Sequence, residues 1–126
     1  MNYQTPLARA RGLGSAREGS HHWWHQRVTA IALLPLTFWV AIALAGLPEA
    51  SYHDVVAWVK APWNTILLLS FIIVAFFHAM LGLQIVIEDY VHTDSLKILA
   101  VLGAKIVLAF LGVAAMFATL RIALMG

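Results

Sequence analysis

The chain alternates between long apolar segments and short polar connections. Three segments, 28–47, 65–87 and 98–120, contain 20, 23 and 23 residues, and the only formal charge within them is Lys105. About 20 residues of helix, at roughly 1.5 Å per residue, cross a bilayer core of roughly 30 Å. The pattern therefore predicts an all-α integral membrane protein with three transmembrane helices.

Prolines mark the ends of these segments. Pro48 closes the first segment, and Pro62 with Trp63 opens the second, where a proline suits a helix start and an indole suits the membrane interface. Pro35 lies inside the first segment and is expected to kink it. The linker 49–61 has three valines on one helical side, which favours a short turn lying in the interface.

Composition supports the membrane assignment and removes several kinds of chemistry. The chain is 62% hydrophobic and 11% charged, whereas a soluble domain usually has about a quarter charged residues. It contains no cysteine, which excludes disulfides, cysteine zinc sites, iron–sulfur clusters and thiol nucleophiles. Because the three segments take up 66 of 126 residues, residues 1–126 are predicted to form a single membrane anchor domain.

The basic residues are unevenly divided between the two sides of the predicted membrane. One side, formed by segment 1–27 and the loop after the second span, has five: Arg9, Arg11, Arg17, Arg27 and Lys97. The other side has Lys60 and Arg121. The excess predicts a cytoplasmic N-terminus, or a matrix one in mitochondria, so the net charge of +2 indicates orientation and no binding of nucleic acid. The protein is expected in the bacterial inner membrane, with the mitochondrial inner membrane as the alternative.

His78 is the ionisable residue nearest the centre of a span, and such residues usually face protein, water or a cofactor. Two interpretations stay open: a histidine bonded to a neighbouring helix, or an axial haem ligand. Gly82, one turn further on, either gives a flat macrocycle room or allows close helix packing. The other five histidines lie outside the apolar segments, so a second axial imidazole would come from another protein chain. The chain is therefore expected to be part of a heteromeric helix bundle.

Two polar segments lie at the same predicted side of the membrane. The second span ends in residues 88–92, including Asp89 and Tyr90, and residues 20–27 lead into the first span. Tyr90 is either an interfacial tyrosine or a phenol that donates a hydrogen bond to a quinone carbonyl. Arg27 is either a snorkelling interface residue or part of the same site.

Two motifs in these segments resemble those of a known family. The first runs over residues 15–30, SAREGSHHWWHQRVTA, and the second is His78-Ala-Met-Leu-Gly82 followed by Asp89-Tyr90-Val91. Together with three spans in the same order, they resemble the small haem b-binding membrane anchor of succinate dehydrogenase, respiratory complex II, of the alphaproteobacterial and mitochondrial kind.

The resemblance implies roles for particular residues and for partners. His78 would be an axial ligand of haem b, Arg27 and His21 would lie near the haem propionates, and Tyr90 with its neighbour Asp89 would bind ubiquinone. The implied partners are the second membrane anchor, which is the cytochrome b anchor subunit, together with the iron–sulfur subunit, the flavoprotein subunit and membrane lipid.

The implied function is electron transfer from succinate to ubiquinone. This chain would serve as a non-catalytic anchor that completes the haem and quinone sites. Two alternatives stay open: an anchor of a quinol:fumarate reductase, which runs the reaction in reverse, and a structural or transport protein in which the central histidine relays protons or joins helices. Gly103 and Gly112, about 180° apart on a helix, are expected to let the third span pack on two sides. Lys105 is expected to be structural.

Overall fold

A computed structural model of the chain describes residues 5–12 and 18–126. The described part consists of helices and connections, without strands. A short helix comes first, three long helices follow, and two small helical elements connect the first two long ones. The elements are α1 (Pro6–Ala10), α2 (Glu18–Ala45), a 3₁₀ turn (Leu47–Glu49), α3 (Tyr52–Lys60), α4 (Pro62–Tyr90) and α5 (Asp94–Met125). The long helices α2, α4 and α5 are each long and apolar enough to span a membrane, which confirms the predicted fold class.

The long helices extend well beyond the apolar segments that predicted them. α2 begins ten residues before segment 28–47 and continues through Pro35. Residues 18–27, predicted as part of the cytoplasmic N-terminal segment 1–27, therefore form the first turns of the spanning helix. This extension fixes the helical register between the polar motif and the span. Ser15, Ala16 and Arg17, which open the first motif, lie outside the described residues.

The linker between the first two spans forms a second short helix, α3, with a well-defined start. The Ser51 hydroxyl accepts a hydrogen bond from the Asp54 amide at 3.2 Å, and the Ser51 amide donates to the Asp54 carboxylate at 2.9 Å. This reciprocal pair is a capping box, which satisfies two backbone donors at the helix start. The ring of Trp58 on α3 stacks on Trp39 of α2, with centroids 5.3 Å apart, and so attaches the linker to the first span.

α4 is the central helix of the bundle, because it packs against both α2 and α5. Gly112 of α5 is buried against the Phe76 side chain of α4, and a methyl group at Gly112 would lie 3.3 Å from the Phe76 ring. Gly112 thus permits close approach of these two helices, as expected. A methyl group at Gly103 would meet no atom within 4 Å, so Gly103 makes no such close contact within the described chain.

Very little of the described chain is buried by its own fold. The buried hydrophobic residues are Val59, Ile72 and Leu81, and the buried polar residues are Thr29 and Thr119. Large apolar side chains along α2 and α5, such as Ile42 and Phe110, are mostly exposed. A chain of this kind needs lipid or other helices to cover it, because exposed apolar surface of this extent is unfavourable in water.

Candidate functional site

The central histidine of α4 makes a hydrogen bond with α2. His78 Nδ1 lies 2.8 Å from the Thr29 hydroxyl, and Thr29 is only 8% exposed. The same hydroxyl lies 2.7 Å from the His25 carbonyl oxygen and 3.0 Å from that of Gln26. One ring nitrogen of His78 is therefore held by α2. No hydrogen bond to His78 Nε2 is found within the part of the chain that the structure describes.

His78 also forms part of the wall of an open cleft of about 400 Å³. The rest of this α2 cleft is lined by Ala30, Leu33, Leu34, Thr37, Phe38 and Ala41. Leu34 and Phe38 are largely exposed, so the cleft is open on the side away from this chain. The arrangement places an imidazole beside an apolar cleft that is open on one side.

Arg27 lies on the helix face that lines the α2 cleft. It precedes Ala30 by three residues and Leu34 by seven, a spacing that puts all three side chains on one side of α2. The Arg27 guanidinium is exposed and lies over the Trp23 ring, 5.4 Å from its centroid. Arg27 thus places a positive charge at the end of the cleft that is nearer the start of α2.

His21 is exposed and lies on a different face of α2 from Arg27. Its backbone carbonyl oxygen lies 2.7 Å from His25 Nδ1. The His25 ring stands edge-on to Phe77, with centroids 6.0 Å apart. The six-residue spacing between His21 and Arg27 corresponds to about 240° around a helix, so the structure does not bring these two residues together.

Gln26 lies opposite Gly82 across the contact between α2 and α4. A methyl group at Gly82 would lie 3.9 Å from Gln26 Nε2, which is an ordinary van der Waals distance. Gly82 therefore faces α2, but its surroundings leave room for a methyl group and do not require glycine for close helix packing. Two atoms on this face, Gln26 Oε1 and His22 Nε2, are buried and have no hydrogen-bond partner among the described residues. Such atoms are rare in native proteins, so they mark a place where water or a further group belongs.

Tyr90 and Asp89 lie at the far end of α4. Tyr90 is the last residue of the helix and is 79% exposed, and Asp89 is also exposed. Tyr90 follows His78 by 12 residues, about 18 Å along the helix axis. Because Thr29 is level with His78, Arg27 lies close to the level of the histidine along the helix axes and about 15 Å along them from Tyr90. Tyr90 and Asp89 are therefore separated along the bundle from the level of His78 and Arg27.

Sequence reasoning did not single out Thr29, Gln26 or His22. Each lies within the first motif, and the spacings of four and three residues put all three on one helix face. That signal becomes readable only once residues 18–27 are known to continue the first span as one helix. Among the described residues, no group of three or more histidine, cysteine, aspartate or glutamate side chains comes together.

The fold and the site define a multi-pass membrane protein with an intramembrane histidine beside an open apolar cleft. Residues 1–112 match the family model of the succinate dehydrogenase/fumarate reductase transmembrane subunit, and the chain belongs to this family. This confirms the resemblance that the two motifs suggested.

Individual relatives cover most of the chain. The succinate dehydrogenase hydrophobic membrane anchor subunit of Rickettsia bellii is 34% identical over 83% of this chain and 84% of its own length. The protein of the same description from Paracoccus denitrificans is 36% identical over 77% of this chain and 75% of its own. The succinate dehydrogenase membrane anchor subunit of Reclinomonas americana is 28% identical over 72% of this chain and 78% of its own length. No solved structure matches the chain.

Proposed function

We propose that this chain anchors a succinate:ubiquinone oxidoreductase in the membrane and contributes one axial ligand of haem b and part of the ubiquinone site. The observation that carries the proposal is the state of His78. Its Nδ1 is engaged by Thr29, while the ring lines an open apolar cleft. A haem ligand needs this arrangement, because one ring nitrogen binds iron while the other is held by the protein.

The residues around His78 fit a haem group. The cleft walls are alanine, leucine and phenylalanine side chains, which suit a flat apolar macrocycle. Arg27 supplies a positive charge at the end of the same face, where a propionate would otherwise be costly to place at the membrane edge. His21 lies on another face, so its proposed role near the propionates receives no support from the geometry. When bound, the haem would accept and release one electron at a time.

The open side of the cleft supports a second membrane protein as a partner. Leu34 and Phe38 are exposed in this chain alone, and no second histidine of the described chain lies on the cleft wall. A partner would cover these side chains and provide the opposing ligand. The proposed partners are a cytochrome b anchor subunit in the membrane, with an iron–sulfur subunit and a flavoprotein subunit outside it. The remaining exposed apolar surface would contact lipid.

Tyr90 is the proposed hydrogen-bond donor to ubiquinone. Its phenol is exposed at the C-terminal end of α4 and makes no hydrogen bond within the described chain. A phenolic donor strengthens its bond to a quinone carbonyl as that oxygen gains electron density during reduction. Asp89, its exposed neighbour, is proposed to shape the polar end of the same site.

The relatives bear on the direction of the reaction and on the membrane. Each of the three relatives carries a succinate dehydrogenase name, which favours succinate oxidation over fumarate reduction, although the family model covers both. The Rickettsia and Paracoccus relatives are bacterial, which favours a bacterial inner membrane over a mitochondrial one. We therefore propose succinate oxidation at a bacterial inner membrane.

Purification of the chain with its partners tests the proposed function. A tagged chain should co-purify with a flavoprotein, an iron–sulfur protein and a second membrane protein, and succinate should reduce added ubiquinone. The reduced-minus-oxidised spectrum should show haem b. A complex that contains these proteins but no haem would overturn the haem role, and a chain that purifies without them would overturn the proposed function as a whole.

A further inference from the structure

Thr29 is a buried hydroxyl that contacts three polar atoms. Its Oγ1 lies 2.7 Å from the His25 carbonyl oxygen, 3.0 Å from the Gln26 carbonyl oxygen and 2.8 Å from His78 Nδ1. Thr29 is one of only two buried polar residues among those the structure describes. The hydroxyl therefore joins the α2 backbone to the α4 histidine.

Proton counting determines the direction of these hydrogen bonds. A hydroxyl has one proton and two acceptor lone pairs, whereas backbone carbonyls only accept. If Thr29 donated to His78, two carbonyl oxygens would lie against its oxygen with no proton between them. In the favourable arrangement, the Thr29 hydroxyl donates its hydrogen bond to the carbonyl oxygens, and the His78 Nδ1–H donates to Thr29 Oγ1. In a neutral imidazole, Nε2 then carries the free lone pair.

We propose that Thr29 is a positioning residue that holds His78 in the Nδ1–H tautomer and so presents Nε2 as the ligand atom for the haem iron. This inference rests on the proposed function, because it assigns a role only if His78 binds haem. The hydroxyl also acts electronically. An acceptor on Nδ1–H makes the imidazole a stronger donor to iron, which stabilises the oxidised haem and lowers its reduction potential.

The chain offers a matched control for Thr29. Thr119 of α5 is 6% exposed, compared with 8% for Thr29, and its hydroxyl donates to the Ala115 carbonyl oxygen at 2.9 Å. It resembles Thr29 in residue type, burial and local backbone bond, but it makes no hydrogen bond to an imidazole. Thr119→Val therefore measures the cost of losing a buried threonine hydroxyl as such.

The experiment compares Thr29→Val, Thr29→Ser and Thr119→Val in the complete purified complex. The readouts are haem content, the haem b spectrum and the haem reduction potential from a redox titration. Thr29→Val should raise the haem potential and weaken haem binding about 10- to 100-fold, the range typical for loss of an outer-shell partner. Thr29→Ser retains the hydroxyl and should restore both properties, and Thr119→Val should leave both unchanged.

Other outcomes would overturn the inference. A Thr29→Val complex with wild-type haem content and potential would show that the hydroxyl does not act on the ligand. If Thr29→Val and the smaller Thr29→Ala both fail to assemble while Thr119→Val assembles, Thr29 has a structural role instead. His78→Ala separates this inference from the proposed function. If haem b persists in that variant, His78 is not its ligand and the proposed haem role fails, whatever the result for Thr29→Val.

Discussion

Gln26 of α2 packs against Gly82 of α4, one helical turn from the hydrogen bond that joins the same two helices at His78. The position that a methyl group would take on Gly82 lies 3.9 Å from Gln26 Nε2. That side of α4 is therefore covered by α2. The cavity beside His78 is lined by other residues of α2, so a cofactor that uses the histidine would enter from the open cleft and not across Gly82.

Gly82→Ala should accordingly be tolerated. The added methyl group would make an ordinary contact with a flexible amide, and alanine is about 1 kcal/mol more favourable than glycine inside a helix. We expect wild-type haem content and succinate:quinone activity in membranes that contain the variant. A loss of haem in an assembled Gly82→Ala complex would indicate that the macrocycle lies against Gly82.

His78→Ala should abolish or strongly weaken the haem b signal. Alanine has no ring nitrogen, and a single remaining axial ligand holds the iron poorly. The measurement is the reduced-minus-oxidised spectrum of the purified complex, normalised to its flavin content. Thr119→Val, at the other buried polar position, serves as the control and should keep the signal. An unchanged spectrum in His78→Ala would contradict the ligand assignment.

Arg27→Leu should lower the haem reduction potential. Loss of a nearby positive charge favours the oxidised haem, which carries one more positive charge than the reduced form. A redox titration of the complex measures the shift. The direction is opposite to that expected for Thr29→Val, so the two variants report different interactions. If the potential of Arg27→Leu equals that of the wild type, the arginine serves only as a topology signal.

Tyr90→Phe should slow electron transfer to quinone while leaving electron entry intact. Phenylalanine keeps the ring and removes only the donor, and a hydrogen bond of about 1–3 kcal/mol corresponds to roughly five- to two-hundred-fold in rate if quinone chemistry limits turnover. The assay compares succinate:ubiquinone turnover with succinate oxidation by a soluble artificial acceptor, together with the haem spectrum. Equal losses in both assays would indicate damaged assembly, and full quinone activity would leave Tyr90 without a catalytic part.

The start of α3 should loosen at low pH. The hydrogen bonds from the Ser51 hydroxyl and amide lower the pKa of the Asp54 carboxyl, so the ionised form is the one that the folded cap stabilises. This stabilisation is present at neutral pH and is lost as the pH falls through the depressed pKa. The protection of the α3 amides against hydrogen exchange, relative to the intrinsic rate at each pH, should therefore fall in acid.

Ser51→Ala provides the corresponding variant. Loss of the cap typically costs about 1 kcal/mol of helix stability, which corresponds to roughly fivefold faster exchange at the first turn of α3 at neutral pH. The same variant should weaken the acid dependence of this protection, because it removes the hydroxyl donor to Asp54 and keeps the backbone amide donor. Amides of α4 are the internal control and should be unaffected. A cap variant that exchanges at the wild-type rate would show that packing against the spans, and not the capping box, holds α3.

The sequence alone determined much of this protein. Three apolar segments of sufficient length predicted three spanning helices, because hydrocarbon leaves few other solutions for a backbone, and the central position of His78 in the second segment predicted an intramembrane histidine. The two motifs sufficed to indicate the family. Local spacing could not show that residues 18–27 belong to the same helix as the first span, because the apolar pattern begins only at residue 28.

Only the tertiary structure decided which residues meet. The pairing of Thr29 with His78, the packing of Gln26 on Gly82 and the distance between Arg27 and Tyr90 depend on the relative register of α2 and α4. Every apolar residue is equally acceptable to lipid, so hydrophobic patterning does not fix that register. Close contacts and interhelical hydrogen bonds fix it, and these belong to pairs of residues far apart in the chain.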